Sequence, residues 1–398
     1  VIDIHFFLCF HISTMMIKKF TFLCKPEVVY GENSITQLPD LVKSTGGKKL
    51  LLVTDTNFSK TAIIGSIKQL LKEKSIDFAI FDSISGEPST ETGDECASFG
   101  KKEGCDVVCG IGGGSTLDTA KAAAVIITNG GSVREYQGLD KVPGPGLPKI
   151  MVPTTAGTGS EVTFTAVFIR KDEKKKGGIN SKYLYPEFAI LDPLLTISVP
   201  PSITASTGLD ALCHAIESFI SKKANFLSES VSLSAIKLIW ENLPSAHQNG
   251  SDVKSRTGML YGSFLAGVGL ANAGVTAVHS ISYPLGGTFG VPHGVGNGLL
   301  LPYVLEFDMP EISPRLACIY DYVYGHSGNK EIEKAEKFIS EIKQMLKRFK
   351  IPRLKELGIT PENFSSLAED AMKVAVPIEN NPKPITVADI IKIYKSAY

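Results

Sequence analysis

From Lys48 onward, short apolar runs alternate with segments whose apolar positions recur every three to four residues. KLLLVTD (49–55), DFAIFD (77–82), CDVVCGIG (105–112) and KIMVPTT (149–155) are short and almost continuously apolar. IGSIKQLLKEK (64–74) and TLDTAKAAAVII (116–127) have helical spacing instead. This alternation predicts a parallel sheet covered by helices. FAILDP (188–193) supplies a further strand, and RKDEKKKGG (170–178) reads as the charged tip of a hairpin. After VPPSITA the texture changes. TGLDALCHAIESFIS, SVSLSAIKLIWENL and KAEKFISEIKQMLKRF are long and helix-periodic, and strand-like runs almost vanish. Pro200 and Pro201 mark the change, because successive prolines continue neither a helix nor a sheet ladder. The expected organisation is an α/β domain over residues 16–199 and an all-α domain over residues 200–398.

Composition narrows the partners. A chain of 398 residues with 43% hydrophobic content can bury a core in each of two lobes. Lys and Arg, 41 together, balance 41 Asp and Glu, so no basic excess points to nucleic acid or an anionic membrane surface. A small, weakly charged ligand is expected. The seven cysteines, at 9, 24, 96, 105, 109, 213 and 318, form no C-x-x-C pair and read as reduced thiols of a cytoplasmic protein. No run of eighteen apolar residues occurs, so no spanning helix is expected. The opening VIDIHFFLCFHISTMM has neither a basic start nor a small-residue cleavage pattern, and residues 1–15 read as an N-terminal extension.

Two loops follow predicted strands. In CDVVCGIGGGSTLDTAK, Gly112, Gly113 and Gly114 lie between a buried strand and a helix beginning near Ser115. Such a junction lets backbone N–H groups approach a phosphate at a helix N-terminus, although a tight strand-to-helix turn needs the same residues. Asp118, in the first turn of that helix, could simply complement its dipole. VPTTAGTGSEVT adds a second small-residue loop with hydroxyls at Thr154, Thr155, Thr158 and Ser160. Two such loops at strand ends of one sheet suggest a cofactor crevice. Asp55, at the end of an early strand, could accept ribose hydroxyls and repel a 2′-phosphate, or act as a helix cap.

Histidine placement is more telling. In TGLDALCHAIES, Asp210 and His214 stand at i and i+4 and project from one helix face, as two ligands of one metal would; a local carboxylate–imidazole bond has the same spacing. His5 and His11 fall in the extension, and His247 and His326 in polar, loop-like contexts. His214, His279 and His293 remain, each where an unpartnered imidazole is costly. One carboxylate and three imidazoles suit ferrous iron, or zinc. The last two histidines bracket a Pro/Gly-rich stretch, HSISYPLGGTFGVPHG, read as a turn that folds His293 back toward His279. Cys213 points about 100° away from His214 on a helix and reads as a packed thiol.

GGGSTLDTAK, PTTAGTGSEVT, DALCHAIE and the H-x13-H ending in PHG, in this order, resemble the iron-dependent (group III) alcohol dehydrogenase family. The resemblance runs from about Phe20 to the end. It implies a dehydroquinate-synthase-like fold, an α/β dinucleotide-binding domain followed by a helical metal-binding domain, with substrate between them. It implies that Asp210, His214, His279 and His293 bind the metal. Gly112, Gly113, Gly114 and Ser115 would cradle the pyrophosphate beside Asp118. Thr154, Thr155, Thr158 and Ser160 would form the second cofactor loop, Asp55 would favour NAD over NADP, and Lys176 would lie near the ribose. The implied reaction is hydride transfer between a metal-held alkoxide and nicotinamide, run as an alcohol dehydrogenase or aldehyde reductase on a small substrate, in a homo-oligomer. Alternatives within the wider superfamily are a glycerol dehydrogenase, a dehydroquinate-synthase-like lyase and a hydroxyacid–oxoacid transhydrogenase. A silent dinucleotide-binding protein is the alternative outside enzymes. One departure stands out. Many relatives carry H-x-x-x-H-P-L-G, whose second histidine is assigned to proton relay; here it is Tyr283, a poor base at neutral pH.

Overall fold

The computed structural model describes residues 19–173 and 175–398. The expected extension over residues 1–15, with His5, His11 and Cys9, lies outside them. The described strands are β1 (Glu27–Tyr30), β2 (Lys49–Asp55), β3 (Asp77–Ile84), β4 (Val107–Gly112), β5 (Gly138–Leu139), β6 (Lys149–Pro153), β7 (Thr165–Arg170), β8 (Lys175–Asn180) and β9 (Phe188–Leu191). Between them lie helices α1 (Leu38–Ser44), α2 (Ala62–Glu73), α3 (Thr90–Lys102), α4 (Gly114–Asn129) and α5 (Val133–Tyr136). Six strands form one parallel sheet in the order β1-β9-β6-β4-β2-β3. The other three form a small sheet in which β7 and β8 are the antiparallel hairpin expected around the charged run.

Helices cover both faces of the large sheet, so its strands read as continuous apolar runs. Along β2, Leu50 and Leu52 join Leu38, Ile64, Ile67 and Leu71 of α1 and α2. Leu51 and Val53 point the other way, into Ala97 of α3 and Leu117 and Ala120 of α4. The chain steps from β2 outward to β3 but returns to the other side of β2 with β4. Strand order therefore reverses at the β2/β4 boundary, and the C-terminal ends of those strands flank the crevice where such sheets take ligands. At the opposite, N-terminal ends of β1, β6 and β9, a cavity of about 410 Å³ lies between Lys25, Lys149 and Tyr185. None of the candidate residues lines it.

From Pro201 the chain is helical: α6 (Pro201–Ile220), α7 (Phe226–Gln248), α8 (Val253–Ala273), α9 (Ala277–Phe289), α10 (His293–Tyr324), α11 (Glu331–Arg348), α12 (Phe364–Met372), α13 (Ala375–Asn380) and α14 (Val387–Ala397). Pro200 caps α6 and Pro201 occupies its first position, where the missing N–H costs nothing. Its residues Leu209, Leu212, Cys213 and Ile216 are fully buried in one core with Ile236 and Ile239 of α7 and Leu300 of α10. Cys213 is thus a packed thiol, as expected. α8 and α9 meet at 106° about Gly274, whose φ is 71°. Among the described residues no single helix is long and apolar enough to cross a membrane. His247 corrects an expectation: it sits in the last turn of α7, not in a loop, with its ring 4.6 Å from that of Phe349. Its helical period was masked by the polar residues that follow.

One backbone contact joins the halves. Gly159, in the loop after β6, has φ of 60°, and a Cβ there would lie 2.7 Å from the Cα of Gly267 on α8. An alanine would carry both the left-handed conformation and this clash. Gly159→Ala is expected to cost about 1–3 kcal/mol of stability, read by chemical denaturation. A midpoint equal to wild type would show that the loop is not held against α8.

Candidate active site

Asp210, His214 and Glu217 fall at i, i+4 and i+7 on α6 and so share one face. All three are at most 5% exposed, which for carboxylates demands close partners. The partners come from α9 and α10. His279 is the third residue of α9 and His293 the first of α10. One ligand-type atom from each of Asp210, His214, His279 and His293 lies within 4.8 Å of the others. Asp210 Oδ1 is 3.9 Å from His214 Nε2, 3.9 Å from His279 Nε2 and 3.8 Å from His293 Nε2. Bonds of about 2.1 Å to one ion give a tetrahedral edge of about 3.4 Å, so the donor set fits a single divalent cation after a small contraction.

The segment between the two histidines is not the expected turn. His279 to Phe289 is helical, with Pro284 inside it. The lost N–H would have met the carbonyl of Ser280, one turn earlier, and the remaining ladder keeps the helix. The reversal is confined to Gly290, with φ of 66°, Val291 and Pro292. Two helix starts, not one loop, therefore present His279 and His293.

Each ring is oriented from behind. The His279 Nδ1 position is bonded to Glu217 Oε2, and His214 Nδ1 lies 3.3 Å from the carbonyl of Gly157, which can only accept. Both contacts leave Nε2 as the lone-pair atom facing the cluster. Asn297, one turn after His293, donates from Nδ2 to Asp210 Oδ1 at 2.7 Å and lies 3.0 and 3.2 Å from Nε2 of His279 and His293. Its own Oδ1 accepts from Ser282. The amide thus points a donor at three of the four atoms that would face a cation. The amide meets lone pairs that an ion would otherwise take, so a bound cation would displace it.

The four groups are shifted in different directions. Burial pushes the Asp210 carboxyl up, but the three imidazoles, His214 first, hold it below its ordinary value. Burial lowers His214, and it pushes His293 down to about 3 against the attraction of Asp210. His279 is the exception: burial pulls it down, yet Glu217, by charge and hydrogen bond, and then Asp210 raise it overall. A more basic ring is a stronger donor to a metal. The His293 side chain is 27% exposed whereas the other three ligand candidates are at most 6% exposed, so the cluster opens past His293. Tyr283, one turn after His279, has its ring 5.6 Å from that of His293, and burial pushes its phenol up to about 12.

The two small-residue loops lie side by side at the ends of adjacent strands. Thr154 N donates to Gly112 O at 2.9 Å. A Cβ on Gly112 would meet Thr116, and one on Gly114 would lie 2.5 Å from Thr158, whereas at Gly113 the nearest atom, Thr155 Oγ1, is 3.5 Å away. Gly112 and Gly114 are glycine for packing, and Gly113 faces the only open side of the three. With Gly113 as the cap, Ser115 stands in the first turn of α4 at a helix N-terminus suited to a phosphate. Asp118 and Ser160 are bonded to each other: Ser160 Oγ donates to Asp118 Oδ1 at 2.6 Å, and Val167 N donates to Oδ2 at 2.8 Å. They brace the second loop rather than project from it. Asp55 uses Oδ1 to accept from the amides of Asn57 and Phe58 at 2.9 Å, the cap arrangement; its position at the end of β2 puts it across the strand switch from Gly113. Lys176 is no solvated member of a lysine run. Its side chain is 7% exposed, pairs with Glu87 at 2.6 Å and approaches Gly286 on the His279 helix.

Glu217 and Asn297 were missed in the sequence. For Glu217 a signal existed, the continuation of the Asp210/His214 stripe by seven residues; for Asn297 it was the i+4 spacing from His293.

A doubly wound parallel sheet with a glycine turn at its strand switch, facing helices that gather one Asp and three His, defines a class of two-lobed nucleotide-and-metal enzymes. The comparisons with known proteins are specific within it. Residues 25–193 match the family described as iron-containing alcohol dehydrogenase, and residues 204–398 match the C-terminal part of the Fe-containing alcohol dehydrogenase family. Long-chain-alcohol dehydrogenase 1 of Geobacillus thermodenitrificans (strain NG80-2) is 38% identical over 373 residues, 92% of this chain and 94% of its own. The NAD-dependent methanol dehydrogenase of Bacillus methanolicus is 36% identical over 94% of this chain and 99% of its own. The solved structure of a 1,3-propanediol oxidoreductase superposes with a TM-score of 0.92 at 34% identity, over 96% of this chain and all of the other. The chain belongs to the iron-containing alcohol dehydrogenase family.

The glycine geometry yields a test. Gly113→Ala fits the protein but places a methyl on the open side, so its unfolding midpoint should match wild type while the KM for the nicotinamide cofactor rises by about tenfold. An unchanged KM would remove the loop from the cofactor crevice.

Proposed function

We propose that this protein is an NAD-linked, divalent-metal-dependent alcohol dehydrogenase that also reduces the matching aldehyde. The observation that carries the reading is the convergence of Asp210, His214, His279 and His293, with their rings oriented from behind, beside the two loops at the strand switch. Residues 16–199 would hold the dinucleotide and residues 200–398 the metal; the last strand ending at Leu191 and α6 beginning at Pro201 support that division.

The four ligand candidates would hold the ion, ferrous iron by family and zinc by the same donor chemistry. When bound, it supplies a Lewis acid for the alcohol or carbonyl oxygen, and the nicotinamide supplies the hydride acceptor or donor. The protein's own share is positioning. The amides of Gly113, Gly114 and Ser115 would meet the pyrophosphate, and Thr155 and Thr158 would face it from the second loop. Thr154 is buried behind them, and Asp118 and Ser160 hold that loop in place. The second carboxylate oxygen of Asp55 would meet a ribose hydroxyl and repel a 2′-phosphate, favouring NAD over NADP. Lys176, between Glu87 and the His279 helix, would close the crevice from the small sheet. Tyr283 can donate a hydrogen bond to a substrate oxygen, but with its phenol pushed up to about 12 it would not take the proton of an alcohol near neutral pH. The buried thiols of Cys96, Cys109 and Cys213 support a reducing, cytoplasmic setting.

The curated relatives carry the names of a long-chain-alcohol, a methanol and a 1,3-propanediol dehydrogenase, so a panel of short and long alcohols and diols is the direct assay. Chelated protein should be inactive and regain turnover with ferrous iron or zinc. Asp210→Ala should abolish metal binding and NAD-dependent turnover together; retention of both would end the reading. The efficiency with NADP should be at least about tenfold below that with NAD, and Asp55→Ala should narrow the gap. Tyr283→His should raise alcohol oxidation at pH 7 severalfold, because an imidazole can accept a proton there where a phenol cannot.

A second reading, a hydroxyacid–oxoacid transhydrogenase, rests on the family resemblance, which implies that members of that type also carry no histidine at the position of Tyr283. Exchange between a hydroxyacid and an oxoacid without added nucleotide would select it.

A further inference from the structure

We infer that Glu217 is a positioning residue of the metal centre: its carboxylate fixes the tautomer of His279 and brings the charge that lets a divalent ion enter a buried, apolar bundle. The inference rests on the metal-centre reading above. Glu217 is fully buried, and both its oxygens are engaged. Oε1 accepts from the amide and the hydroxyl of Thr276, each at 2.9 Å, and from the more distant amide of His279 at 3.5 Å. Oε2 meets His279 Nδ1.

Two roles are folded into these contacts, and they separate chemically. Thr276 is the N-cap residue of α9, so the Oε1 bonds place a negative charge at the positive end of that helix. Those bonds need only an acceptor, and a glutamine oxygen would supply one. The Oε2 bond needs an acceptor too, and there a glutamine presents an NH₂. The imidazole would then have to accept at Nδ1 and carry its proton on Nε2, the atom that faces Asp210. A metal could bind only after displacing that proton. The charge argument points the same way. Asp210 and Glu217 together bring two negative charges to the buried set, which matches one divalent ion; without Glu217 the loaded site keeps one uncompensated positive charge.

The fold can bear the change. The amide of Ala277, beside Thr276, is held separately by Asn381 Oδ1 at 3.2 Å, and Asn381 is held in turn by Asp308, to which its Nδ2 donates at 2.8 Å. The first turn of α9 therefore keeps an anchor when Glu217 loses its charge.

The test is cobalt(II) binding to the full-length apoprotein, followed by the visible absorption of the bound ion, with thermal unfolding of the same apo samples. Glu217→Gln is expected to weaken cobalt binding by about 10–100-fold with an apo melting temperature close to wild type. Thr276→Val removes only the hydroxyl that donates to Glu217 Oε1 and is expected to stay within about threefold of wild type; equal losses in the two variants would reduce Glu217 to a helix cap and overturn the inference. His279→Ala serves as the reference. If it loses cobalt while Glu217→Gln binds as wild type, the inference falls and the metal reading stands; if His279→Ala binds as wild type, the metal reading itself falls. Nitrogen NMR of histidine-labelled wild-type apoprotein at pH 9 adds a readout that needs no variant. His279 protonated at Nδ1 is expected, and a proton on Nε2 would overturn the inference.

Discussion

Two carboxylates, Asp210 and Glu217, stand on one face of a helix that is buried from Gly208 to Ile220. Leaving either without partners would cost several kcal/mol, so the neighbouring elements must bring donors to that face. α9 begins where its first amides can meet Glu217, and α10 begins where His293 and Asn297 can meet Asp210. The 106° bend between α8 and α9 is what aims those amides. The helical half is thus arranged around buried negative charge, and the same arrangement makes a site for a cation.

The sheet half solves a different problem, bringing two backbone loops close enough to share one occupant. Small residues do this by omission: Gly112 and Gly114 give room to Thr116 and Thr158, and Gly159 lies against Gly267. Beneath the loops, Lys121 is fully buried and donates to the carbonyls of Ser160 and Thr165, while Asp118 takes Ser160 and the amide of Val167. Burial disfavours the charge on both, raising Asp118 and lowering Lys121, and their mutual attraction opposes it. The pair holds open loops without filling them.

Much of this was legible in the sequence because it depends on period. β2 was readable from KLLLVTD, since a strand covered on both faces is apolar throughout, and the Asp210/His214 pair was readable because i and i+4 share a helix face. What was not legible depends on where elements meet. HSISYPLGG reads as a turn because proline and glycine usually break helices; in the folded protein, α10 and α12 pack against it and it stays helical. Lys176 reads as one lysine among several because its run is charged, yet the hairpin turns it inward onto Glu87. Glu217 obeys the period and was overlooked, because a third charged residue on a buried face makes sense only once its partners on α9 are visible.

One bond described above joins the two halves chemically. His214 Nδ1 rests against the carbonyl of Gly157, which belongs to the loop that faces the glycine turn. If His214 holds the ion and this loop the dinucleotide, as proposed, a ring that an ion pulls into alignment would also pull on that carbonyl, and a dinucleotide that orders the loop would steady the ring. Linkage is reciprocal, so whatever free energy the first occupant gains through this bond is returned, equal in size, to the second. On the proposed reading, ion and nucleotide would share a wall, and each would set the affinity that the other finds.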